Sequence, residues 1–315
     1  MKEGNFIISL DFELFWGVSQ SKSKDNYGEN ILKSHLVVEK LLSLFKENKI
    51  EATWAIVGFL FFENFTEITN FIKKNSVIKP KYNNQTLNNY IVLENNIGND
   101  KKLFFAKDLI QKIKKTNGQE IACHTFSHLY AMEDGISLND FKDDLRYMKI
   151  IFDKLGLEIK SIVFPRNQYS ESLINECKKT TISSYRGMPE KYMYKTSLNQ
   201  NIFKRTLRLV DCYLNLSGDT SFIVKKSRKF IDIPASRFLR SYSKKLFLFE
   251  PLRLRRIKNE MTNAAKKNRN YHLWWHPHNF GKNTKENFIF LEEILDHFNF
   301  LHLKYGFKST NMNNI

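Results

Sequence analysis

The chain has 315 residues, of which 42% are hydrophobic and 14% aromatic, so it can bury a sizeable core and is not disordered throughout. Its 50 Lys and Arg residues outnumber the 33 Asp and Glu residues, which gives a net charge of +17. Such an excess favours anionic partners, although an AT-rich coding sequence would also enrich the chain in Lys and Asn. Three widely spaced cysteines, Cys123, Cys177 and Cys212, exclude a disulfide framework and a thiolate zinc site, and they fit a reducing compartment.

The first residues lack the apolar core of a signal peptide, and no run of ~18 apolar residues is long enough to span a membrane. We therefore expect a cytoplasmic location. The positive charge adds the expectation of peripheral contact with the anionic inner membrane.

Short apolar runs alternate with segments of helical periodicity along the chain. Strands are predicted over residues 5–10, 52–57, 120–123, 160–164, 183–185, 231–233 and 271–275. Helices are predicted over residues 31–45, 105–115, 137–155 and 284–298, and the third of them carries the capping pattern of Ser137 and Asp140. Repeated strand–helix units predict an α/β fold with a mainly parallel sheet, and their number fits a barrel better than an open sheet.

We predict one domain over residues 1–315. Residues 63–104 are rich in Asn and only weakly periodic, so we interpret them as an insertion or long loop. Residues 225–258 form a basic segment with aromatic side chains between the charges, and the last five residues are expected to fray.

In parallel α/β folds, catalytic groups collect at the C-terminal ends of the strands, and acids and histidines of this chain fall there. Asp11 and Glu13 are two residues apart, so both carboxylates share one face of an extended strand. His124 and His128 are four apart, the spacing that places two imidazoles on one side of a helical turn around a metal ion. Two imidazoles and a carboxylate are a typical open ligand set for Zn²⁺. His276 follows an apolar run and is placed to protonate a leaving amine.

Each of these features has a plainer interpretation when it is taken singly. Asp11 and Glu13 would be solvated loop acids, and His124 and His128 a capping or surface pair. His276 would be a buried histidine that is hydrogen-bonded to the backbone.

Five motifs, taken in their order, resemble the polysaccharide deacetylase (NodB homology, carbohydrate esterase family 4) superfamily in its DxE/DxD variety. They are Ser9-Leu10-Asp11-Phe12-Glu13, Glu51-Ala52-Thr53-Trp54, His124-Thr125-Phe126-Ser127-His128, Asp232-Ile233-Pro234-Ala235-Ser236 and Trp275-His276-Pro277. The resemblance implies a distorted (β/α)7 TIM-like barrel that hydrolyses an N-acyl or O-acyl group on a sugar with the help of a metal. By position it implies Asp11 as the general base and His276 as the general acid. It implies Glu13, His124 and His128 as ligands of a divalent metal ion, Zn²⁺ foremost, with Co, Ni, Fe or Mn as alternatives.

The chain also departs from the family pattern. Glu13 stands where most members carry Asp, and its longer side chain still reaches a metal. The third motif, usually Arg-x-Pro, has its pair reversed and shifted, and we expect Arg166 to orient the base. Arg237 and Arg240 replace aromatic and acidic residues of the fourth motif, which points to a more anionic substrate. Together with His278, they are the predicted binding residues for the substrate or its phosphate.

The expected reaction is removal of an acetyl or formyl group from an amino sugar during surface glycan assembly, such as that of O-antigen, capsule or lipopolysaccharide. The basic segment predicts a sugar linked to a nucleotide or lipid phosphate, or contact with an anionic membrane, and its plainer interpretation is a solvated helix face. The alternatives are hydrolysis of a cyclic amide or imide, as in the allantoinase-like branch, and a non-catalytic barrel that binds polyanions. We expect no specific nucleic acid, because the sequence holds no recognised RNA- or DNA-binding module.

Overall fold

The computed structural model describes residues 4–98, 100–189, 191–194, 202–224 and 230–315. Its strands are β1 (Asn5–Phe12), β2 (Ala52–Ile56), β3 (Gln119–Cys123), β4 (Ser161–Ile162), β5 (Ser184–Tyr185), β6 (Ile231–Asp232), β7 (Arg237–Phe238), β8 (Tyr271–Trp275) and β9 (Lys308–Thr310). Its α-helices are α1 (Lys24–Glu47), α2 (Phe65–Lys74), α3 (Asn89–Asn95), α4 (Lys107–Lys115), α5 (Leu138–Lys154), α6 (Glu171–Cys177), α7 (Ile202–Asp211), α8 (Glu250–Lys266) and α9 (Thr284–Tyr305). Within the described ranges, every helix is too short or too polar to cross a membrane.

The strands form one parallel sheet in the order β6-β5-β4-β3-β2-β1-β8-β7, and β9 pairs with the start of β1. β6 and β7 lie at the two edges of this order, yet only residues 233–236 separate them in the chain. One short segment therefore closes the curled sheet, and β6 and β7 together occupy a single position of the barrel. The sheet has seven such positions, which confirms the predicted distorted (β/α)7 barrel.

β1 is buried along its length because it lies between the barrel interior and the surrounding helices. Ile8 and Leu10 belong to the main hydrophobic core, whereas Ile7 belongs to a small cluster inside the barrel. Successive side chains of a strand alternate between its faces, so Ser9 and Asp11 follow Ile7 on the inner face. β1 thus leads from an apolar barrel floor to a carboxylate at the mouth.

Polar caps determine where the long helices begin. The Asp140 N–H donates to Ser137 Oγ (3.3 Å) and the Ser137 N–H donates to the Asp140 carboxylate (2.8 Å), so the predicted capping box is confirmed. The same exchange between Ser23 and Asn26 begins α1 about two turns before the predicted start. Those first turns are polar, and apolar periodicity could not reveal them.

The prediction of a long loop over residues 63–104 is wrong, because this segment contains α2 and α3. Phe65, Ile68 and Tyr90 are buried in the main core. Asn64 Oδ1 accepts the N–H of Glu67 (2.9 Å) at the start of α2, and Asn88 caps α3 in the same way. Several of the asparagines that suggested a loop, Asn64 and Asn88 among them, are therefore helix caps.

The prediction of a frayed C-terminal end is also wrong. Met312 is 1% exposed and packs with Ile7 in the cluster inside the barrel. Its N–H donates to Thr53 Oγ1 (2.8 Å). The residues after β9 thus close the barrel floor, opposite the mouth where Asp11 lies.

Candidate active site

The predicted acids and histidines meet at the mouth of the barrel. Asp11 lies on β1 and Glu13 directly follows it, His124 and His128 follow β3, and His276 follows β8. The first four residues are buried, whereas the side chain of His276 is 22% exposed. The site therefore has a buried floor beneath one accessible imidazole.

Glu13, His124 and His128 form a cluster whose ligand atoms all lie within 4.8 Å of one another. Glu13 Oε2 is 3.0 Å from His128 Nε2 and 3.4 Å from His124 Nε2. His124 Nδ1 lies 2.7 Å from the carbonyl oxygen of Val163. Because a carbonyl only accepts, we assign the proton to Nδ1, which leaves the lone pair of His124 Nε2 directed at the cluster.

The cluster fits a divalent cation. Both ring nitrogens of His128 are buried and make no well-directed hydrogen bond to the described residues, and the nearest acceptor to Nε2 is the Glu13 carboxylate at 3.0 Å. Burial lowers the pKa of His128, which keeps its imidazole neutral. Burial also acts to raise the pKa of Glu13, but the neighbouring His276 and His128 outweigh it and hold that pKa well below its usual range. One carboxylate and two neutral imidazoles are a donor set suited to Zn²⁺ and similar transition metals.

The two histidines lie on a loop, not on the predicted helical turn. Thr125 (φ 60°) and His128 (φ 57°) both adopt the left-handed conformation, which costs free energy in residues other than glycine. Asp144 on α5 accepts the N–H of Phe126 (2.5 Å), and it accepts both the N–H (3.0 Å) and the Oγ–H (2.6 Å) of Ser127. Burial raises the pKa of Asp144 to about 6. This side chain holds the loop, and therefore both imidazoles, in place.

Gly17 makes room for the longer acid at position 13. A Cβ atom added to Gly17 would lie 1.9 Å from Cδ of Glu13 and 2.0 Å from its Oε1. The space that glycine leaves therefore holds the Glu13 carboxylate against the two histidines, and a larger side chain would have to displace that carboxylate. The sequence reasoning missed this residue.

Asp11 is paired with Arg186, and the prediction that Arg166 orients it is wrong. Arg186 Nη1 and Nη2 donate to the two carboxylate oxygens of Asp11 at 2.6 and 2.7 Å, and Arg186 is 0% exposed. Arg166 instead donates to Glu133 (2.8 Å) and stacks over the ring of Tyr130. Burial acts to raise the pKa of Asp11, but the charge of Arg186 outweighs it, so the pKa is lowered and the carboxylate is ionised.

Every N–H group of Arg186 has a partner. Besides the two bonds to Asp11, its Nε and Nη2 donate to Asn167 Oδ1 (3.1 and 2.9 Å) and its Nη1 donates to Ser9 Oγ (3.1 Å). Ser9 Oγ lies 2.8 Å from Nε2 of His272, and burial lowers the pKa of His272 to about 3. Arg186 directly follows β5, so it stands at a strand end like the predicted residues. The predicted strand over residues 183–185 ends directly before Arg186, so this strand end was the signal that could have found it.

His276 faces both carboxylates from the rim of the site. Its Nε2 lies 3.6 Å from Glu13 Oε1 and 3.7 Å from Asp11 Oδ2. The ring of His278 stacks on that of His276, with 5.1 Å between centroids, and His278 is 4% exposed. Burial lowers the pKa of His278 to about 3, so it is a neutral wall behind His276. The predicted contact of His278 with substrate is not supported by this buried position.

The two predicted arginines have different surroundings. Arg237 is 3% exposed, and its Nε and Nη2 donate to the carboxylate of Glu260 at 2.7 and 2.6 Å. Its Nη1 lies 3.4 Å from the carboxylate of Asp211. These acids neutralise Arg237, although it lines the cavity beside His276, and its role in substrate binding stays a prediction. Arg240 is exposed and lines a cavity of about 310 Å³ that His276 also lines.

The basic segment 225–258 is not one charged surface. Residues 225–229, with Lys225, Lys226, Arg228 and Lys229, lie outside the described residues. Arg253 is buried against Glu250, and Arg256 is buried against Asp211 (3.0 Å). Part of the positive charge therefore belongs to the interior of the protein.

The comparisons with known proteins agree with this architecture. The family model described as "Polysaccharide deacetylase" matches residues 30–185. A Mycobacterium smegmatis protein described as a polysaccharide deacetylase superposes with a TM-score of 0.60 at 10% identity, over 99% of this chain and 88% of that chain. A GH57-type branching enzyme from Pyrococcus horikoshii (100% of this chain, 70% of that chain) and an α-amylase from Thermotoga maritima (94% and 72%) each give a TM-score of 0.51 at 12% identity. No curated protein sequence is significantly similar to the chain.

The barrel fold and the match to the family model together define a hydrolase. The solved structures are only 10% and 12% identical to the chain, so they support the fold alone. The chain belongs to the polysaccharide deacetylase family, whose members are hydrolases that act on carbon–nitrogen bonds. The family predicted from the five motifs is thereby confirmed. The matched residues include His124 and His128 but not Asp11, Arg186 or His276, so the roles of these three are argued from the geometry.

Proposed function

We propose that the protein is a metal-dependent deacetylase that removes an acetyl or formyl group from an amino sugar. The observation that carries the proposal is the convergence of three elements at one barrel mouth. A buried Glu13–His124–His128 cluster, the Asp11–Arg186 pair and the accessible His276 lie within a few ångströms of one another. Family membership supplies the reaction type, and the cluster supplies the reason to expect a metal.

Glu13, His124 and His128 would hold the cation, with Zn²⁺ the best match to their donors and Co, Ni, Fe or Mn as alternatives. A cation bound there polarises the acyl carbonyl and lowers the pKa of water. The protein keeps this arrangement fixed through the Asp144 bonds to the histidine loop and the space beside Gly17.

Asp11 is the proposed general base. Its carboxylate is ionised and held by two hydrogen bonds from Arg186, so it stands in one orientation at the mouth. It accepts a proton from the attacking water as the carbon–oxygen bond forms. Arg186 is a positioning residue in this scheme, because it reaches the reacting atoms only through Asp11.

His276 is the proposed general acid. Its Nε2 faces Asp11 and Glu13 from the open side of the site, where the leaving amine departs. It donates a proton to the sugar nitrogen as the carbon–nitrogen bond breaks, which yields the free amine and a carboxylate. The buried ring of His278 limits the orientations available to the His276 imidazole.

The proposed setting is the assembly of a surface glycan in the cytoplasm, and the substrate is an acylated amino sugar. The exposed Arg240 beside His276 supports a substrate that carries negative charge.

The test combines metal analysis with product release. The purified protein is loaded with Zn²⁺, Co²⁺, Ni²⁺, Fe²⁺ or Mn²⁺ and incubated with N-acetylated and N-formylated amino sugars, and released acetate and formate are measured. We expect release with near-stoichiometric metal, and loss of both in His124→Ala. The exposed His302→Ala is the matched control and should keep both. Bound metal that survives His124→Ala, or no affinity for any of the five ions, would contradict the proposed metal centre.

A further inference from the structure

We infer that the cavity beside His276 is a subsite for a phosphoryl group on the sugar, and that a membrane lipid carries this phosphoryl group. The inference rests on the proposed deacetylase function and specifies its substrate class.

The cavity is strongly cationic. Five arginines line it, and among its described lining residues there is no Asp or Glu. Two of the five are neutralised elsewhere, Arg166 by Glu133 and Arg237 by Glu260. Arg205 and Arg240 give the cavity its charge, and Arg208 lines it beside them.

Arg205 and Arg208 are three residues apart on α7, so they lie on neighbouring positions of one helix face. Burial lowers the pKa of Arg208, and the charge of Arg205 acts in the same direction. No described carboxylate forms an ion pair with Arg205 or Arg240. Like charges grouped without a carboxylate are unfavourable unless an anion joins them.

A phosphoryl group is the anion that this arrangement suits best. Guanidinium groups bind phosphate through paired hydrogen bonds, and several together supply more donors than one carboxylate needs. A cavity of about 310 Å³ is at the lower end of small-molecule sites, of the size of a sugar phosphate. Because His276 also lines the cavity, a phosphoryl group there lies on the same molecule as the acylated nitrogen at the catalytic site.

The surface around the cavity indicates a lipid as the source of the phosphoryl group. An apolar rim is exposed on α7 and on residues 244–249; it consists of Ile202, Phe203, Phe247, Leu248 and Phe249. Ile202 is 78% exposed and Leu248 72%. Residues 244–249 contact the end of α7, because the ring of Tyr213, just after α7, lies 6.1 Å from that of Phe249, and Ile202 and Phe203 lie at the start of the same helix.

Exposed Lys244 and Lys245 lie beside the apolar rim. Mixed apolar and basic surfaces are typical of contacts with anionic membranes, where apolar groups enter the interface and cations face the lipid phosphates. A nucleobase stacks on phenylalanine rings, but it gains little from exposed aliphatic side chains such as Ile202 and Leu248, which an alkyl chain contacts. The rim and the cationic cavity therefore point to the same occupant, a sugar phosphate whose lipid chain lies in the membrane.

The test measures binding by calorimetry, without turnover, with four probes: farnesyl phosphate, farnesol, inorganic phosphate and UDP. We expect farnesyl phosphate to bind most tightly. Arg205→Gln/Arg240→Gln should weaken its binding about 100-fold, roughly tenfold for each charge-assisted hydrogen bond lost. Lys73→Gln/Lys74→Gln removes the same charge from an exposed part of α2 and should leave the affinity unchanged.

Ile202→Ser/Leu248→Ser tests the source of the phosphoryl group. This variant should bind farnesyl phosphate more weakly, and its affinities for inorganic phosphate and UDP should not change. If UDP binds as tightly as farnesyl phosphate and the rim variant changes neither, the lipid source is overturned. If the arginine variant binds farnesyl phosphate like the unchanged protein, the subsite itself is overturned. His124→Ala should still bind farnesyl phosphate, so failure of the deacetylase proposal and failure of this one give different results.

Discussion

The barrel contains two buried networks of arginine and carboxylate side chains. They differ in which other groups their carboxylates contact. In the network at the mouth, Arg186 uses all five N–H groups, and its partner Asp11 still faces His276 beside the Glu13–His124–His128 cluster. In the network beside α8, Arg237 and Arg256 bind Asp211 and Glu260. Arg256 Nε and Nη1 have no hydrogen-bond partner among the described residues. The same chemical pair therefore builds a reaction site in one place and an anchor for α7 and α8 in the other.

The largest expected difference between the networks is in turnover. Asp11→Asn should lower kcat by ~10²–10⁴, the usual contribution of a general base, while metal stays bound. Asp211→Asn removes an equally buried carboxylate and should leave kcat unchanged. Kinetics and metal content of the two variants check this, and equal losses in both would abolish the distinction.

Loss of either arginine should destabilise the fold by about 3–5 kcal/mol, because each leaves a buried carboxylate without its cation. Arg186→Met should also lower kcat, since Asp11 loses its orientation, whereas Arg237→Met should not. Urea unfolding measures the first effect and kcat the second. An Arg237→Met variant that folds but loses kcat would show that the second network also serves the reaction.

A single methyl group added at position 17 should change the metal affinity of the site at the barrel mouth. Gly17→Ala places a Cβ against Glu13 and should weaken metal binding about 10–100-fold, the range for a disturbed ligand support. Competition with a chelator measures the affinity. Gly156→Ala is a control, because no atom lies within 4 Å of its added Cβ, although its positive φ adds strain. Unchanged affinity in Gly17→Ala would mean that the Glu13 carboxylate moves freely.

The two networks should lose folding stability over different pH ranges. Burial lowers the pKa of His272 to about 3, so the unfolded chain binds its proton near pH 6.5 while the folded protein does not. This contribution to stability is complete above pH 6.5 and is lost as the pH falls towards 3. His272→Gln should therefore reduce the loss of unfolding free energy between pH 7.5 and 5 by about 2 kcal/mol. Urea titrations at both pH values measure it, with exposed His302→Gln as the reference.

The α8 network should lose stability only at lower pH. Burial acts to raise the pKa of Asp211, but the bonds from Tyr194 and the charges of Arg237 and Arg256 outweigh it and lower that pKa. A carboxylate whose pKa is lower in the folded than in the unfolded protein stabilises the fold at every pH above its unfolded-state pKa. This stabilisation is lost as the pH falls through the folded-state pKa.

Much of the mouth was predictable because strand ends carry their own pattern. Asp11, Glu13, His124, His128 and His276 each follow an apolar run, and a parallel sheet must bring such ends together. The Ser137 capping box could be predicted because both of its partners lie within four residues of each other in the sequence.

What the sequence could not reveal depends on distant partners. Arg186 is 175 residues from Asp11, and although it follows the predicted strand over residues 183–185, nothing in its local sequence pairs it with that carboxylate. Arg237 and Arg240 are three residues apart, yet only Arg237 meets carboxylates, because Glu260 and Asp211 come from α8 and α7. Asn64 and Asn88 looked like loop residues because a cap is defined by the helix that it begins.

The closure of the barrel by residues 233–236 has a consequence for circular permutation. Asn5 pairs with Lys308, and Ile315 packs against the cluster that contains Ile7, so both ends of the described chain lie on the floor side of the barrel, where a linker would join them. New termini within residues 233–236 would remove the covalent link between β6 and β7, which would then be terminal strands at the two edges of the sheet. We expect such a permutant to open at this seam, next to Trp274 and the catalytic mouth, whereas new termini in an exposed helix connection would leave the barrel closed.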